Sequence, residues 1–420
     1  MDSLHGIPPT VKAAHSVEGP RGETLRLMTE GEFLAIQPRS PGELLTESVR
    51  YSPLHDIHVA AGASFTDFAG WQMPVRYSSD LAEHHAVRNS AGLFDISHMS
   101  EIVVAGPDAA AYLDAALAGA ISAVAVTKAK YSLILAEDGG IIDDLIVYHS
   151  DDGEYLVVAN AGNREPVVTA LTERLAAFDA TVDDITDTIS LIAVQGPNAR
   201  AILESTAGLE ASAQTDLENL KYYACTAMTF AGDSVLVART GYTGEDGFEV
   251  YVDVADAAAL WHALEAAGEP FGLVRAGLAS RDTLRLEAGM PLYGHELGLD
   301  TLPAQAGLGR VVSLTKGSDF VGRAAVEAAP VDGARVLVGL KAEGKRAGRA
   351  GYTIHDADGA EIGVITSGAL SPTLGYPIAM AYVDPAASVT GTPLFMDVRG
   401  TRVPASVVRL PFYKREKTTP

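Results

Sequence analysis

Val103-Val104-Ala105-Gly106-Pro107-Asp108-Ala109 leads into Ala110–Leu117, and ninety positions later Ala193-Val194-Gln195-Gly196-Pro197-Asn198-Ala199 leads into Arg200–Leu203. Each reads as an apolar strand, a Gly-Pro turn and a helix with proline in its first turn, where the missing N–H costs nothing. The matching strand and helix patterns on both sides of the shared turn point to an internal duplication. Two copies of a strand–helix unit, each followed by hairpins, predict an α+β fold rather than a parallel α/β sheet.

Around the two units, Tyr131–Leu135 and Ile141–Tyr148 read as strands joined by the turn Glu137-Asp138-Gly139-Gly140, and Tyr155–Ala159 as a third strand. Val235–Thr240 and Gly247–Val252 flank the glycine-rich turn Gly241–Asp246 and predict a second hairpin. Asp80–Val87 reads as a helix, with Asp80 as its cap and Glu83 three residues on. Ala257–Ala267 reads as a helix stopped by Gly268, and Leu278–Ala288 as one stopped by Gly289 with Pro291 beyond. After Pro330 the helical period fades. Val336–Leu340, Tyr352–Ile354, Gly363–Thr366, Ile378–Val383 and Val403–Val408 read as short strands of a small all-β domain. Residues 1–46, interrupted by five prolines, read as an extension outside the globular body, expected to be mobile.

The chain has 420 residues, 47% of them hydrophobic, enough for two or three domains. Its formal net charge of −23 argues against nucleic-acid binding and requires any acidic partner to find a local basic patch. No apolar run is long enough to span a bilayer, so no membrane association is expected. The single cysteine, Cys225, cannot form an internal disulfide, which suits a reducing cytoplasm. No metal site is expected, because HExxH and paired cysteines are absent. A phosphate loop and GxSxG are absent as well, and Gly307-Leu308-Gly309 lacks the third glycine of a dinucleotide loop.

Polar residues set in apolar strands remain as candidates. Gly139–Tyr148 reads GGIIDDLIVY, with Asp143 and Asp144 on opposite faces by alternation. Both fit an edge strand facing water, yet one could point into a cavity. Glu249, between Phe248 and Val250, reads either as a solvent-facing residue or as a carboxylate receiving paired N–H donors from a flat ring. Arg281 and Arg285 lie four apart on one helix face, and Asp282 can pair with Arg285, so either structural pairing or anion binding fits. His84, His85 and His98 are assigned structural roles.

Phe65–Pro74, Glu83–Arg88, Phe94–Met99, Gly139–Tyr148, Arg239–Glu249, Arg281–Gly289 and Ile365–Gly368, in content and order, resemble the glycine cleavage T-protein family of aminomethyltransferases. The resemblance covers about Ser52 to Lys414. It implies a three-domain cloverleaf: two interwoven ferredoxin-like domains over residues 47–329 and a C-terminal β-barrel over 330–420. It implies tetrahydrofolate as acceptor, and lipoylated H-protein as the partner whose aminomethyl group yields ammonia and 5,10-methylenetetrahydrofolate. Carried over residue by residue, Asp144 matches the catalytic aspartate, Glu249 the pterin-holding glutamate and Arg281 a folate-site arginine. Met99, Tyr131, Tyr148, Asn160 and Tyr242 match channel-lining positions, and Lys414 a contact to the outer part of the folate. Arg239, Arg281, Lys414 and Arg415 are candidates for the basic docking patch. Sarcosine and dimethylglycine oxidases would need a flavin domain for which the chain has no room. Folate-dependent iron–sulfur assembly factors carry a cysteine where this chain has Lys316-Gly317-Ser318. A tetrahydrofolate-dependent demethylase and a non-catalytic folate-binding protein stand as alternatives.

Overall fold

The computed structural model describes residues 49–211, 216–328 and 333–415; the extension expected over residues 1–46 lies outside them. The Gly-Pro stretches organise two sheets. In the first, the strand order is Ala129–Leu135, Ile141–Asp151, Glu154–Ala159, Ser100–Ala105 and Thr181–Asp184. In the second it is Leu209–Ala211, Cys225–Phe230, Asp233–Ala238, Gly247–Asp253, Ile189–Gln195, Ala91–Asp95 and Leu273–Arg275.

The duplication holds at the level of single backbone bonds. Gly106 and Gly196 have φ of 137° and 134°. A Cβ on Gly106 would meet the carbonyl oxygen of Asp179 at 2.6 Å, and one on Gly196 that of Ser90 at the same distance, so glycine is required at both. The N–H of Asp108 donates to Asp179 O (3.1 Å), and that of Asn198 to Ser90 O (3.0 Å). Asp179 precedes Thr181–Asp184, which flanks the first unit's leading strand, and Ser90 precedes Ala91–Asp95, which flanks the second's. The second unit therefore takes its flanking strand from a segment upstream of the first, and this exchange interweaves the two. The helices start at Ala109 and Ala199, with Asp108 and Asn198 at the N-cap positions. Pro107 and Pro197 thus precede the caps instead of occupying the first helical turn.

The same symmetry governs the junction between units. Cys225 N–H donates to Thr127 O and Ala129 N–H to Tyr223 O, both at 2.9 Å, around the bridge Lys128–Ala224. Thr127 N–H donates to His149 O (2.8 Å) and Tyr223 N–H to Arg239 O (3.0 Å). Both Thr127 and Tyr223 are left-handed, at φ 67° and 61°, a conformation that a side chain adopts only where surrounding structure imposes it.

Each unit has its own apolar core, and a further cluster joins the two sheets: Met99, Val103, Tyr148, Leu156 and Val158 from one side, and Leu191, Ala193, Ala238 and Tyr251 from the other. The C-terminal strands close a six-stranded barrel in the order Val336–Ala342, Pro377–Val383, Glu361–Leu370, Thr353–His355, Pro393–Val398 and Thr401–Val408. Pro393–Val398 was not expected from the sequence, because its leading proline reads as a turn residue; it pairs with Thr401–Val408 from its first residue, where proline is tolerated.

Two helix ends differ from expectation. Ser79, not Asp80, caps Asp80–Asn89, accepting from Ala82 N–H. Glu83 instead binds the N–H groups of Tyr77, Ser78 and Gly277, fixing this helix to the loop before Leu278–Glu287. Gly268 does not stop its helix, which runs Ala257–Gly268 and then through a 3₁₀ turn to Gly272, the left-handed residue at φ 72°. Gly289, at φ 65°, does close Leu278–Glu287 as expected.

Candidate functional site

The strand Ile141–Asp151 alternates in burial: Ile141, Asp143, Leu145 and Val147 are buried, while Ile142, Asp144 and Ile146 are half-buried. The two acids leave opposite faces, yet one amide ties them together. Asn160 Nδ2 donates to Asp143 Oδ1 (2.9 Å) and to Asp144 Oδ1 (3.0 Å). Asp143 also accepts from Asn160 N–H (2.8 Å) and Asn163 Nδ2 (2.6 Å). Asp144 Oδ2 accepts from Tyr131 OH (3.0 Å). Neither acid is the water-facing edge residue that composition alone suggested. Burial pushes the Asp143 carboxyl up to about 8, aided by the charge of Asp144, and the Asp144 carboxyl up to about 6, and the two titrate as a pair.

Glu249 sits on a strand buried on both faces, between partners Ala193 and Ala238, so the solvent-facing reading is wrong. Its Oε2 accepts from Thr240 Oγ1 (2.5 Å) and Tyr148 OH (3.4 Å). Tyr148 OH and Thr240 Oγ1 are 2.9 Å apart, and Tyr251 OH donates to Tyr148 OH (3.3 Å). Burial raises the Glu249 carboxyl, and the bond from Thr240 and the charge of Arg281 oppose it.

Arg281 and Arg285 share a helix and divide its work. Arg285, buried, pairs with Asp282 (2.7 Å), as the spacing predicted, and with Glu296 (3.1 Å), and donates to Ser367 Oγ (2.9 Å). Arg281 lies 4.5 Å above the Tyr242 ring and pairs with no carboxylate among the described residues. Burial lowers its pKa, against the charges of Tyr242 and Glu249. The Tyr242 hydroxyl donates to Pro291 O.

The structure thus gathers Asp144, Tyr131 and Asn160 into one polar group, Glu249 with Tyr148 into another, and Arg281 with Tyr242 within electrostatic reach of both. Met99 packs in the cluster that contains Tyr148. Lys414 is exposed, while its neighbour Tyr413 stacks on Arg88 at 4.1 Å and donates its N–H to Glu287 O. Of the expected docking cations, Arg239 is held by both oxygens of Asp246 (2.9 and 2.6 Å), which also pairs with Arg415 (3.3 Å), and Arg281 is buried. Tyr223 escaped sequence reading. Its phenol lies within the electrostatic reach of both Glu249 and Asp144, and its backbone is left-handed at the junction. Asn160, expected to line the channel, is the donor that binds the acid pair.

Of the three histidines assigned structural roles, His84 sits in a bonded network. His84 bonds Thr283 (2.7 Å) and Thr373 (2.9 Å) and pairs with Glu287 (3.2 Å). Among the described residues no three His, Cys, Asp or Glu side chains gather in a metal-binding group, and no helix is long and apolar enough to cross a membrane.

Residues 54–316 match the GCVT N-terminal domain and residues 335–414 the glycine cleavage T-protein C-terminal barrel domain. An aminomethyltransferase of Cutibacterium acnes is 57% identical over 88% of this chain and 99% of its own length, and one of Moorella thermoacetica is 46% identical at the same coverage. The crystal structure of the glycine cleavage system aminomethyltransferase T from Bartonella henselae superposes with a TM-score of 0.80 at 37% identity, over 87% of this chain and 99% of that one.

Proposed function

The chain belongs to the glycine cleavage T-protein family, and we propose that it passes an aminomethyl carbon from the lipoyl arm of H-protein to tetrahydrofolate between Asp144 and Glu249. The observation that carries this reading is the pair of carboxyl sites, Asp144 held by the Tyr131 hydroxyl and the Asn160 amide and Glu249 by the Thr240 and Tyr148 hydroxyls, with the Arg281 guanidinium over the Tyr242 ring and in no ion pair with a carboxylate among the described residues.

The chemistry follows from these groups. The carbon arrives bonded to a sulfur and an amine, loses the amine as ammonia and the sulfur as the dihydrolipoyl thiol, and gains bonds to two folate nitrogens. Asp144 orients the attacking nitrogen, stabilises the positive charge that builds as the amine departs and takes up the proton that nitrogen sheds. Tyr131 and Asn160 hold Asp144 in one rotamer, and its upward-shifted pKa suits proton uptake near neutrality. Glu249 receives the paired N–H donors of the pterin, and Thr240 fixes the carboxylate from behind. Arg281 faces the folate, with Tyr242 stacked beneath it. Met99, Tyr148 and Asn160 line the same space, and Lys414, exposed at the tail, contacts the outer part of the folate. We place the enzyme in the cytoplasm, with H-protein meeting a local basic surface; Arg239 is held by both oxygens of Asp246, and Arg415 shares that one carboxylate, so the trio keeps a net positive charge.

The test mixes the protein with tetrahydrofolate and aminomethylated H-protein and follows ammonia release. Folate-dependent release is the expected result. No release, with a methylated amine or sulfur donor active instead, would establish the demethylase reading.

A further inference from the structure

Glu101 is a carboxyl with no visible reason to be where it is. It is fully buried, and neither of its oxygens has a hydrogen-bond partner. It lies on Ser100–Ala105 at the position that Leu191 occupies in the second unit, and Leu191 packs there in the apolar cluster between the sheets. The scaffold therefore accepts an apolar side chain at this place, and a lone acid there carries a large desolvation cost.

What it faces supplies the reason. On its strand it shares a face with Val103, which packs against the inter-sheet cluster that holds Tyr251, and Tyr251 begins a line of hydroxyls: Tyr251 OH to Tyr148 OH, Tyr148 OH beside Thr240 Oγ1, and Thr240 Oγ1 to Glu249 Oε2. Ionised Glu249 can only accept, so Thr240 must donate to it. Thr240 then accepts from Tyr148, and Tyr148 from Tyr251. This order leaves the Tyr251 oxygen seeking a donor. A neutral carboxylic acid is one, through a bridging water, since Glu101 makes no direct bond. An ionised Glu101 would instead pull the Tyr251 hydroxyl toward itself and strip Tyr148 of its donor.

We propose that Glu101 is a positioning residue for folate recognition, held as the neutral acid at the far end of the Tyr251–Tyr148–Thr240 line, so that every hydroxyl points to Glu249. The proposal rests on the pterin-holding role of Glu249. The surroundings favour the neutral form. Burial raises the Glu101 carboxyl well above its ordinary range, and the acids Asp184 and Asp187 raise it further. Arg164, the cation that acts on it among the described residues, is already bonded to Asp184 (2.7 Å) and Asp187 (2.8 Å). The phenols of Tyr251 and Tyr148 lie in the inter-sheet cluster that it faces.

The test compares Glu101→Gln, which keeps a neutral donor, with Glu101→Leu, which restores the apolar residue of the other unit, and uses tetrahydrofolate affinity as a function of pH. Glu101→Leu binds about tenfold more weakly than wild type while melting no lower, and Glu101→Gln binds within about threefold of wild type at neutral pH. Wild-type affinity falls on the alkaline side as Glu101 ionises, and that limb is absent in Glu101→Gln. Infrared spectra of the wild-type protein show a protonated-carboxyl carbonyl band that Glu101→Gln lacks, a result that needs no leucine variant to fold. Glu101→Leu matching wild type in affinity and pH profile, with Glu249→Ala binding poorly, overturns the role of Glu101 alone. Unchanged affinity in Glu249→Ala overturns the pterin reading and this inference together.

Discussion

The two duplicated units carry the same backbone and different charges. Glu249 pairs with Ala193, and the equivalent pair in the first unit is Leu156 with Val103. By the same register Glu101 corresponds to Leu191, and Tyr251 to Val158. Asp144, ninety residues before Ser234, is half-buried and hydrogen-bonded, whereas Ser234 is exposed. A symmetric scaffold has thus been made asymmetric by a few substitutions: the first unit holds the acid assigned to chemistry and the second the acid assigned to binding. Symmetry sets the frame and leaves each half free to place its own carboxylate.

The largest expected effect falls on the half without a counterpart. Asp144→Asn lowers turnover by about a thousandfold, within the range of lost acid–base catalysis, and leaves the melting temperature within a few degrees of wild type; steady-state ammonia release and calorimetry measure both. Next comes the contrast between the two arginines of one helix. Arg285→Ala strands the buried Glu296 and frees the half-buried Asp282, and destabilises the fold by about 3–5 kcal/mol in denaturant titration. Arg281→Ala weakens folate binding and costs less stability than Arg285→Ala, because among the described residues Arg281 is in no ion pair and acts on Glu249 through its charge alone. The symmetry itself can be broken on either side: Gly106→Ala and Gly196→Ala each cost about 2 kcal/mol or more, by similar amounts, since each Cβ meets a carbonyl at 2.6 Å. A large cost at one and none at the other would end the equivalence.

The smallest effect is in pH. Asp144 must be ionised to take up a proton, so turnover falls as pH drops below about 6. Stability moves the other way. Both carboxyls of the pair have folded-state pKa values raised above their ordinary range, so the folded state holds more protons than the unfolded one at neutrality. The pair's contribution therefore improves as pH falls from about 8 toward the ordinary carboxylate range, and worsens as it rises. Asp143→Asn, measured by melting across that interval, flattens the slope.

How much was readable in the sequence follows the range of the interactions. The Gly-Pro units, the two hairpins and the Asp282–Arg285 pair are local, and residue type and spacing revealed them. The burial of Glu249 was not local: alternation allowed a solvent-facing residue, and only Ala193 and Ala238 on neighbouring strands close both sides. Asn160 carries only the channel-lining match of the resemblance until the fold brings it to both acids of Ile141–Asp151. Arg239 looked free for docking because its partner Asp246 lies across the turn it flanks. Tyr223 and Glu101 carry no motif at all. The first sits at a junction that only the fold assembles, and the second stands out only once the register equates it with Leu191.

The division of labour between the two carboxylates is tested most directly by calorimetric tetrahydrofolate affinity in Asp144→Asn and Glu249→Ala, set beside ammonia release by the same samples. Asp144→Asn is predicted to bind within about threefold of wild type and release almost no ammonia, and Glu249→Ala to bind about ten- to a hundredfold more weakly. Normal ammonia release by Asp144→Asn, or wild-type affinity in Glu249→Ala, would contradict the account.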